Sequence, residues 1–207
     1  MIDSSSVIQT VISDLGKVII FFDNQIFFNK MAKFCPFSEE EIRELAFAES
    51  SLIESFDRGK ITPQEFYTQA LRKLQAKIDY DNFFSIYNDV FSLNHPVLEI
   101  MKRLKIHNKM VLLSNTDVMR FGFIREKFPE VMLFDEYVLS FEVGFMKPHP
   151  RIYREALEKA GTKAEECVFI DDREENVQSA EKLGIRGVLF KLQMNLEAIL
   201  KGMGLSF

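Results

Sequence analysis

Tryptophan is absent from the 207 residues, and histidine (3), cysteine (2) and proline (6) are scarce. The two cysteines, Cys35 and Cys167, stand far apart without metal-ligand spacing. That excludes a disulfide scaffold and a thiolate metal centre, and leaves buried thiols in a reducing compartment as the expectation. Positive charge is not in excess either: 26 Lys and Arg face 31 Asp and Glu, a net −5. The balance offers no basic footprint for a nucleic-acid backbone and no cationic face for a membrane-surface helix. No apolar run reaches the roughly 18 residues of a membrane span. The opening MIDSSSVIQTVISD lacks a basic stretch ahead of its apolar residues, so no secretory leader is expected. Internal repeats and low-complexity tracts are also missing. With 47% hydrophobic residues, the expectation is a cytoplasmic globular chain that buries its own core. Oligomeric state has no signature here.

The pattern of apolar residues changes along the chain. Short, nearly unbroken runs occur at Val7–Ile12, Met110–Leu113, Tyr137–Leu139, Val168–Ile170 and Gly187–Phe190. Their length and β-branched or aromatic character fit strands buried on both faces. Amphipathic stripes lie between the later runs. One is Val97, Leu98, Ile100, Met101 and Leu104; another is Ile152, Tyr153, Ala156, Leu157 and Ala160. A third, through Val177, Ala180 and Leu183, stops at Gly184, a residue suited to ending a helix. Strand–helix alternation at this spacing predicts an α/β fold with a doubly wound, Rossmann-like parallel sheet, formed by residues 1–23 and 95–207.

Residues 24–94 read differently. Ser38-Glu-Glu-Glu41 and Thr62-Pro-Gln-Glu65 are capping-box sequences that open helices. Helical stripes follow each, Asp81–Phe91 suggests a further helix, and no strand pattern occurs. A helical module of three or four helices is predicted, inserted after the first strand. There it would overlie the carboxyl edge of the sheet, where open α/β folds bind ligands, as a lid.

Four chemically suggestive features fall at or just after strand ends: Ser13-Asp14-Leu15-Gly16, Leu113-Ser114-Asn115-Thr116, Met146-Lys147-Pro148 and Ile170-Asp171-Asp172. Singly, each has an ordinary explanation. An aspartate at a strand end caps a helix or a turn, Ser-Asn-Thr caps, and Lys-Pro is a solvated loop. The acid pair is less easily dismissed, since adjacent carboxylates repel unless a cation compensates them. A parallel sheet would bring all four features to one edge, joining three carboxylates, a hydroxyl and an ammonium.

The order of these features, with the single aspartate first and the acid pair last, resembles the haloacid dehalogenase superfamily, with an inserted type 1 helical cap. The run through Lys147-Pro148, Arg151-Ile-Tyr153 and Asp171 to Asn176 is similar to the branch containing α-D-glucose-1-phosphate phosphatase. The resemblance implies a Mg2+-dependent phosphatase acting on a small phosphorylated metabolite, a sugar phosphate being one candidate. It implies that Asp14 is the nucleophile and becomes an aspartyl phosphate. Mg2+ would be held by Asp14, the Gly16 carbonyl and Asp172. Ser114 and the Asn115 N–H would bind phosphate oxygens, and Lys147 would offset the charge of the transferring group. Asp171 would order metal waters or Lys147, or reach the metal itself. Asn176 stands where many relatives offer another acid, as fits a double-aspartate variant of the last motif.

One departure stands out. Most phosphatases of this superfamily carry a second aspartate two residues after the nucleophile as general acid and base; this chain has Gly16. Three readings stay open. The leaving group is acidic enough to need no proton, another group such as Asp23 substitutes, or turnover is lost and a phosphate-binding or regulatory module remains. A dehalogenase is the rival enzyme, but it has little use for the acid pair. His95 and His149, both beside prolines, read as surface-turn residues. The six phenylalanines between Phe21 and Phe37 read mostly as the module's own core, and Asp57-Arg-Gly59 as a turn or specificity loop.

Overall fold

A computed structural model of the protein describes residues 7–48 and 50–207. The first six residues, on which the expectation about a leader partly rests, lie outside them. From the amino terminus come β1 (Thr10–Ser13), β2 (Ile20–Phe22), then α1 (Asn24–Met31), α2 (Glu39–Ala48), α3 (Ser50–Asp57), α4 (Pro63–Leu74) and α5 (Tyr80–Asn88). The chain continues through β3 (Phe91–Leu93), α6 (His95–Leu104), β4 (Lys109–Ser114), α7 (Val118–Lys127), β5 (Glu136–Leu139) and the single turn α8 (Ser140–Val143). It ends with α9 (Pro150–Ala160), β6 (Cys167–Asp171), α10 (Glu174–Glu181), β7 (Arg186–Leu189) and α11 (Leu196–Gly202).

Five strands form one sheet in the order β5-β4-β1-β6-β7, every pair parallel. Alternation along each strand decides which face a side chain joins. Val11, Met110, Leu112, Val168 and Ile170 pack with Leu98 and Met101 of α6, Ile124 of α7 and Leu200 of α11. Their neighbours Ile12, Val111, Leu113 and Phe169 pack on the other face against Ile152, Tyr153 and Ala156 of α9 and Ala180 of α10. The predicted doubly wound sheet is therefore present. β1 begins at Thr10 rather than Val7, because pairing with β4 and β6 starts there and Val7 is 70% exposed. Both cysteines are free thiols; Cys167 is buried in the sheet and Cys35 is only half-buried. No helix among the described residues is long and apolar enough to cross a membrane.

The segment after β1 holds five described helices, α1 to α5, rather than three or four. The capping box at Thr62 forms: its hydroxyl accepts from Glu65 N–H at 3.2 Å, and the Glu65 carboxylate accepts from Thr62 N–H at 2.7 Å. The core of this module is aromatic. Phe56 stacks on Phe66 with centroids 4.3 Å apart, and Phe28, Phe83, Phe84 and Tyr87 fill the rest. Of the phenylalanines between 21 and 37, Phe27, Phe28 and Phe37 belong to this cluster, while Phe34 stays 37% exposed.

The expected helix over Asp81–Phe91 stops at Asn88. Asp89 leaves helical geometry, its carboxylate held by Lys30 at 2.8 Å and Lys127 at 3.0 Å. Phe91–Leu93 then pairs antiparallel with Ile20–Phe22, a strand pair inside a stretch with no strand signature. Its two halves lie about seventy residues apart, and each is three residues long, too short for periodicity to register. Buried Asn94 closes the ribbon, donating from Nδ2 to the Val18 carbonyl at 2.8 Å.

Candidate active site

β4, β1 and β6 are adjacent in the sheet, so the residues at their carboxyl ends meet. Asp14 follows β1, Ser114 ends β4, and Asp171 ends β6. Lys147 arrives from the loop between α8 and α9, behind a cis Lys147–Pro148 bond. Its Nζ lies 2.7 Å from Asp14 Oδ1 and 2.7 Å from Asp171 Oδ2, and the side chain is 1% exposed. One carboxylate oxygen from each of Asp14, Asp171 and Asp172 lies within 4.8 Å of the other two. Seven residues singled out in the sequence thus share one sheet edge: Asp14, Gly16, Ser114, Asn115, Lys147, Asp171 and Asp172.

Hydrogen bonding separates the roles of the three acids. Asp14 Oδ1 accepts from Leu15 N–H at 2.7 Å as well as from Lys147. Asp171 has both oxygens engaged: Oδ2 by Lys147, Oδ1 by Arg173 N–H and Asn176 Nδ2, each at 2.9 Å. Asp172 is freer, its closest cation being Lys17 at 4.0 Å. Burial lifts the Asp14 carboxyl to about 7 against the lowering effect of Lys147, and Asp171 raises it further. Lys147 is held above its ordinary range, because the two carboxylates outweigh its burial. Asn176 is buried and supports Asp171. The Asn115 side chain clamps the backbone of Lys147, accepting from its N–H at 2.8 Å and donating to its carbonyl at 3.0 Å.

Adjoining this cluster, through Gly16, Ser114 and Asn115, is a cleft of about 180 Å³. Gly16, Ser114, Asn115 and Thr116 line its floor; Phe22, Phe91 and Ile124 are among its apolar walls. Two charged residues join them: Asp57 at the end of α3, which the sequence offers as part of a turn or specificity loop, and Arg120 on α7, which it does not mark. The Arg120 guanidinium lies 4.2 Å from the Tyr87 ring centroid, and its Nε is buried without a hydrogen-bond partner. Tyr87 donates to Asp117 Oδ2 at 2.8 Å. Nothing in the linear pattern marks Arg120. Asp57 stands two residues before Gly59 in an Asp-Arg-Gly turn.

Asp23, the sequence candidate for a substitute acid, is exposed and accepts from Gln25 N–H at 2.9 Å as the N-cap of α1. It does not line the cleft. His149 caps α9, its Nδ1 accepting from Arg151 N–H at 3.2 Å, and stacks on Phe145; His95 opens α6.

The turn after Asp57 is fitted tightly to the sheet domain. Gly59 has φ +63°, and a Cβ there would lie 2.1 Å from the Phe141 carbonyl oxygen. Gly59→Ala is therefore expected to destabilise by about 2 kcal/mol, from left-handed backbone and a clash against main chain. At about 2–4 °C per kcal/mol for a domain of this size, thermal unfolding of the variant checks it.

The model of the haloacid dehalogenase-like hydrolase family matches residues 3–184. The chain belongs to this family. Among curated relatives, drimenol cyclase of Aspergillus calidoustus is 27% identical over 188 residues, 88% of this chain. That match spans only 34% of the cyclase's length. D-ribitol-5-phosphate phosphatase of Bacteroides thetaiotaomicron is 24% identical over 187 residues, 86% of this chain and 89% of the relative. A family enzyme from the same bacterium, crystallised with magnesium and inorganic phosphate, has a TM-score of 0.83 at 26% identity. That likeness covers 93% of this chain and 98% of the other.

Proposed function

We propose that this hydrolase is a Mg2+-dependent phosphatase of small phosphorylated metabolites that forms an aspartyl phosphate on Asp14. The reading rests above all on Asp14, held by Lys147 beside two further carboxylates and next to Ser114. Oδ1 of Asp14 is fixed by two donors while Oδ2 accepts no hydrogen bond among the described residues, so one oxygen stays open to phosphorus or to a cation. Ser114 and the Asn115 N–H hold the phosphate oxygens, and Lys147 neutralises charge developing on the phosphoryl group.

The residues present fit a divalent cation. Three carboxylates against one buried ammonium leave the cluster net negative, and the donor set is all oxygen, as Mg2+ requires. Asp14, the Gly16 carbonyl and Asp172 would hold it, because Asp171 already spends both oxygens on protein donors. Bound Mg2+ screens the nucleophile from the phosphate's charge. The magnesium and phosphate bound by the Bacteroides enzyme and the activity named for the ribitol-5-phosphate relative support the reading.

The helices between residues 24 and 94 serve as a cap that excludes water from the cleft. A cavity that holds benzene measures about 150 Å³, so a cleft of about 180 Å³ suits a compact substrate. Phe22 and Phe91 pack its carbon skeleton, and Thr116 and Arg120 meet its polar groups. A small sugar phosphate is the class to assay first.

Phosphate release should stop on chelation and return with added Mg2+. In Asp172→Asn the Mg2+ concentration for half-maximal rate should rise by about 10–100-fold, in line with the loss of a metal-supporting group. Chelator-insensitive release of halide from a haloacid would show a dehalogenase instead. Tight binding of Mg2+ and phosphate with no release from any ester would show a binding module.

A further inference from the structure

We propose that Asp57, carried by the cap, is the general acid and base of this site, the role that Gly16 does not fill. The inference rests on the phosphatase reading and deepens it. Three observations carry it.

The first is location. Asp57 and Gly16 line the same cleft, together with Ser114, Asn115 and Thr116. A side chain at position 16 would be crowded on its way into that cleft, since a Cβ there would meet Phe22 Cε1 at 3.2 Å and the ring would have to give by a few tenths of an ångström. The phenyl ring crowds the place where an aspartate would grow, and the carboxyl group among the residues that line the cleft is that of Asp57.

The second is positioning. Ser140 Oγ lies 2.6 Å from the Asp57 carbonyl oxygen and 3.0 Å from that of Thr116, and accepts from Thr116 N–H at 2.9 Å. One buried hydroxyl of the sheet domain thus ties the main chain of Asp57 to the residue two places after Ser114. The contact of Gly59 with the Phe141 carbonyl braces the same turn.

The third is chemical state. The Asp57 carboxylate accepts no hydrogen bond and forms no ion pair among the described residues, although it is half-buried. Its charged surroundings are Asp117, the N-cap of α7, Arg120 on α7 and Glu54 on its own helix, with the Tyr87 hydroxyl bound to Asp117. Burial and the repulsion of Asp117 exceed the attraction of Arg120 and lift the carboxyl to about 7. A general acid works best with its pKa near the operating pH.

The protons balance. Asp14 attacks phosphorus, the bond from phosphorus to the ester oxygen breaks, and that oxygen takes the Asp57 proton and leaves as the alcohol. Asp57, now a carboxylate, takes a proton from the water that attacks the aspartyl phosphate. The bond from phosphorus to Asp14 then breaks. Inorganic phosphate leaves, Asp14 is a carboxylate again, and Asp57 is protonated for the next cycle.

The test uses two esters of similar shape, p-nitrophenyl phosphate with an acidic leaving group and phenyl phosphate with a basic one, assayed with Mg2+. For wild type, kcat/KM on phenyl phosphate should fall as pH rises above about 7, because the acid must be protonated. Asp57→Asn should lose roughly 10²-fold or more on phenyl phosphate but less than about tenfold on p-nitrophenyl phosphate. The basic limb of its pH profile should vanish. Equal losses on both esters would assign Asp57 a structural role and overturn the proposal, as would no loss on phenyl phosphate. The residual p-nitrophenyl phosphate activity shows that the variant is folded. Wild-type release of neither ester, or release that persists in Asp14→Asn, would overturn the phosphatase reading itself and this proposal with it.

Discussion

In Asp14→Asn, phosphate release with Mg2+ should fall by on the order of 10⁴-fold or more, the scale on which removal of a covalent nucleophile acts. A carboxamide has nearly the shape of the carboxylate but does not attack phosphorus, so the fold should survive the change. It should do more than survive. The ordinary aspartate value of 3.8 is raised to about 7 in the folded protein by burial. Between those two values the folded state holds a proton that the unfolded state has released, so stability declines as pH rises through that window. Magnesium-free Asp14→Asn lacks this loss, and at pH 8 it should melt above magnesium-free wild type. Activity retained by the variant, on an ester that wild type hydrolyses, would remove Asp14 from the chemistry. An unchanged melting temperature at pH 8 would mean that Lys147 compensates the buried charge fully.

Lys147→Met should be the most damaging single change for stability. The ammonium sits 2.7 Å from both Asp14 and Asp171 with 1% of the side chain exposed, so its removal leaves two buried carboxylates without a cation. Breaking a buried pair from one side costs about 3–5 kcal/mol, which corresponds to a melting temperature lower by about 10 °C. Turnover should drop by about 10²–10³-fold, as when a donor aimed at developing charge is removed. Lys147→Arg should rescue neither quantity. A planar guanidinium fork does not reproduce a compact ammonium enclosed between two carboxylates and the Phe169 ring. Denaturant unfolding and phosphate release on the same preparation separate the two losses.

What the sequence revealed of this molecule follows from how local each signal is. The runs at Met110–Leu113 and Val168–Ile170 are β4 and β6 almost residue for residue, because strands buried on both faces need continuous apolar character. Asp14, Ser114 and Asp171 were legible as a group because a parallel sheet turns strand-end residues into spatial neighbours whatever their separation in sequence. The ribbon of β2 and β3 was not legible. Residues 91–93 find their partners some seventy positions away, and three residues are too few to show a period. Arg120 is not legible for a related reason, and Asp57 is legible only as part of a turn or specificity loop. Arg120 lies in the first turn of α7 with nothing in its neighbours to distinguish a cleft residue from a solvated one. Asp57 becomes part of the site only because the turn around Gly59 docks against Ser140 and Phe141. Asp23 is a candidate for its place in the hinge between sheet and helical module, from which closure could bring it to the site, but the start of α1 absorbs its carboxylate instead.

The ribbon of β2 and β3 also bears on how the chain reaches this fold. β1 and β4 pair Thr10 with Lys109, so an unfolded chain must close a loop of about a hundred residues to form the central strand pair. Once the helical segment has collapsed on its aromatic core, pairing of Ile20 with Leu93 brings its two ends together. Only the short stretches on either side then remain to be closed, about a quarter of the original length. Each halving of a loop saves about 0.6 kcal/mol of closure entropy, so two halvings lower the barrier to nucleating the sheet by roughly 1 kcal/mol. The inserted helices thereby act as an entropic clasp for the strands that carry Asp14 and Ser114.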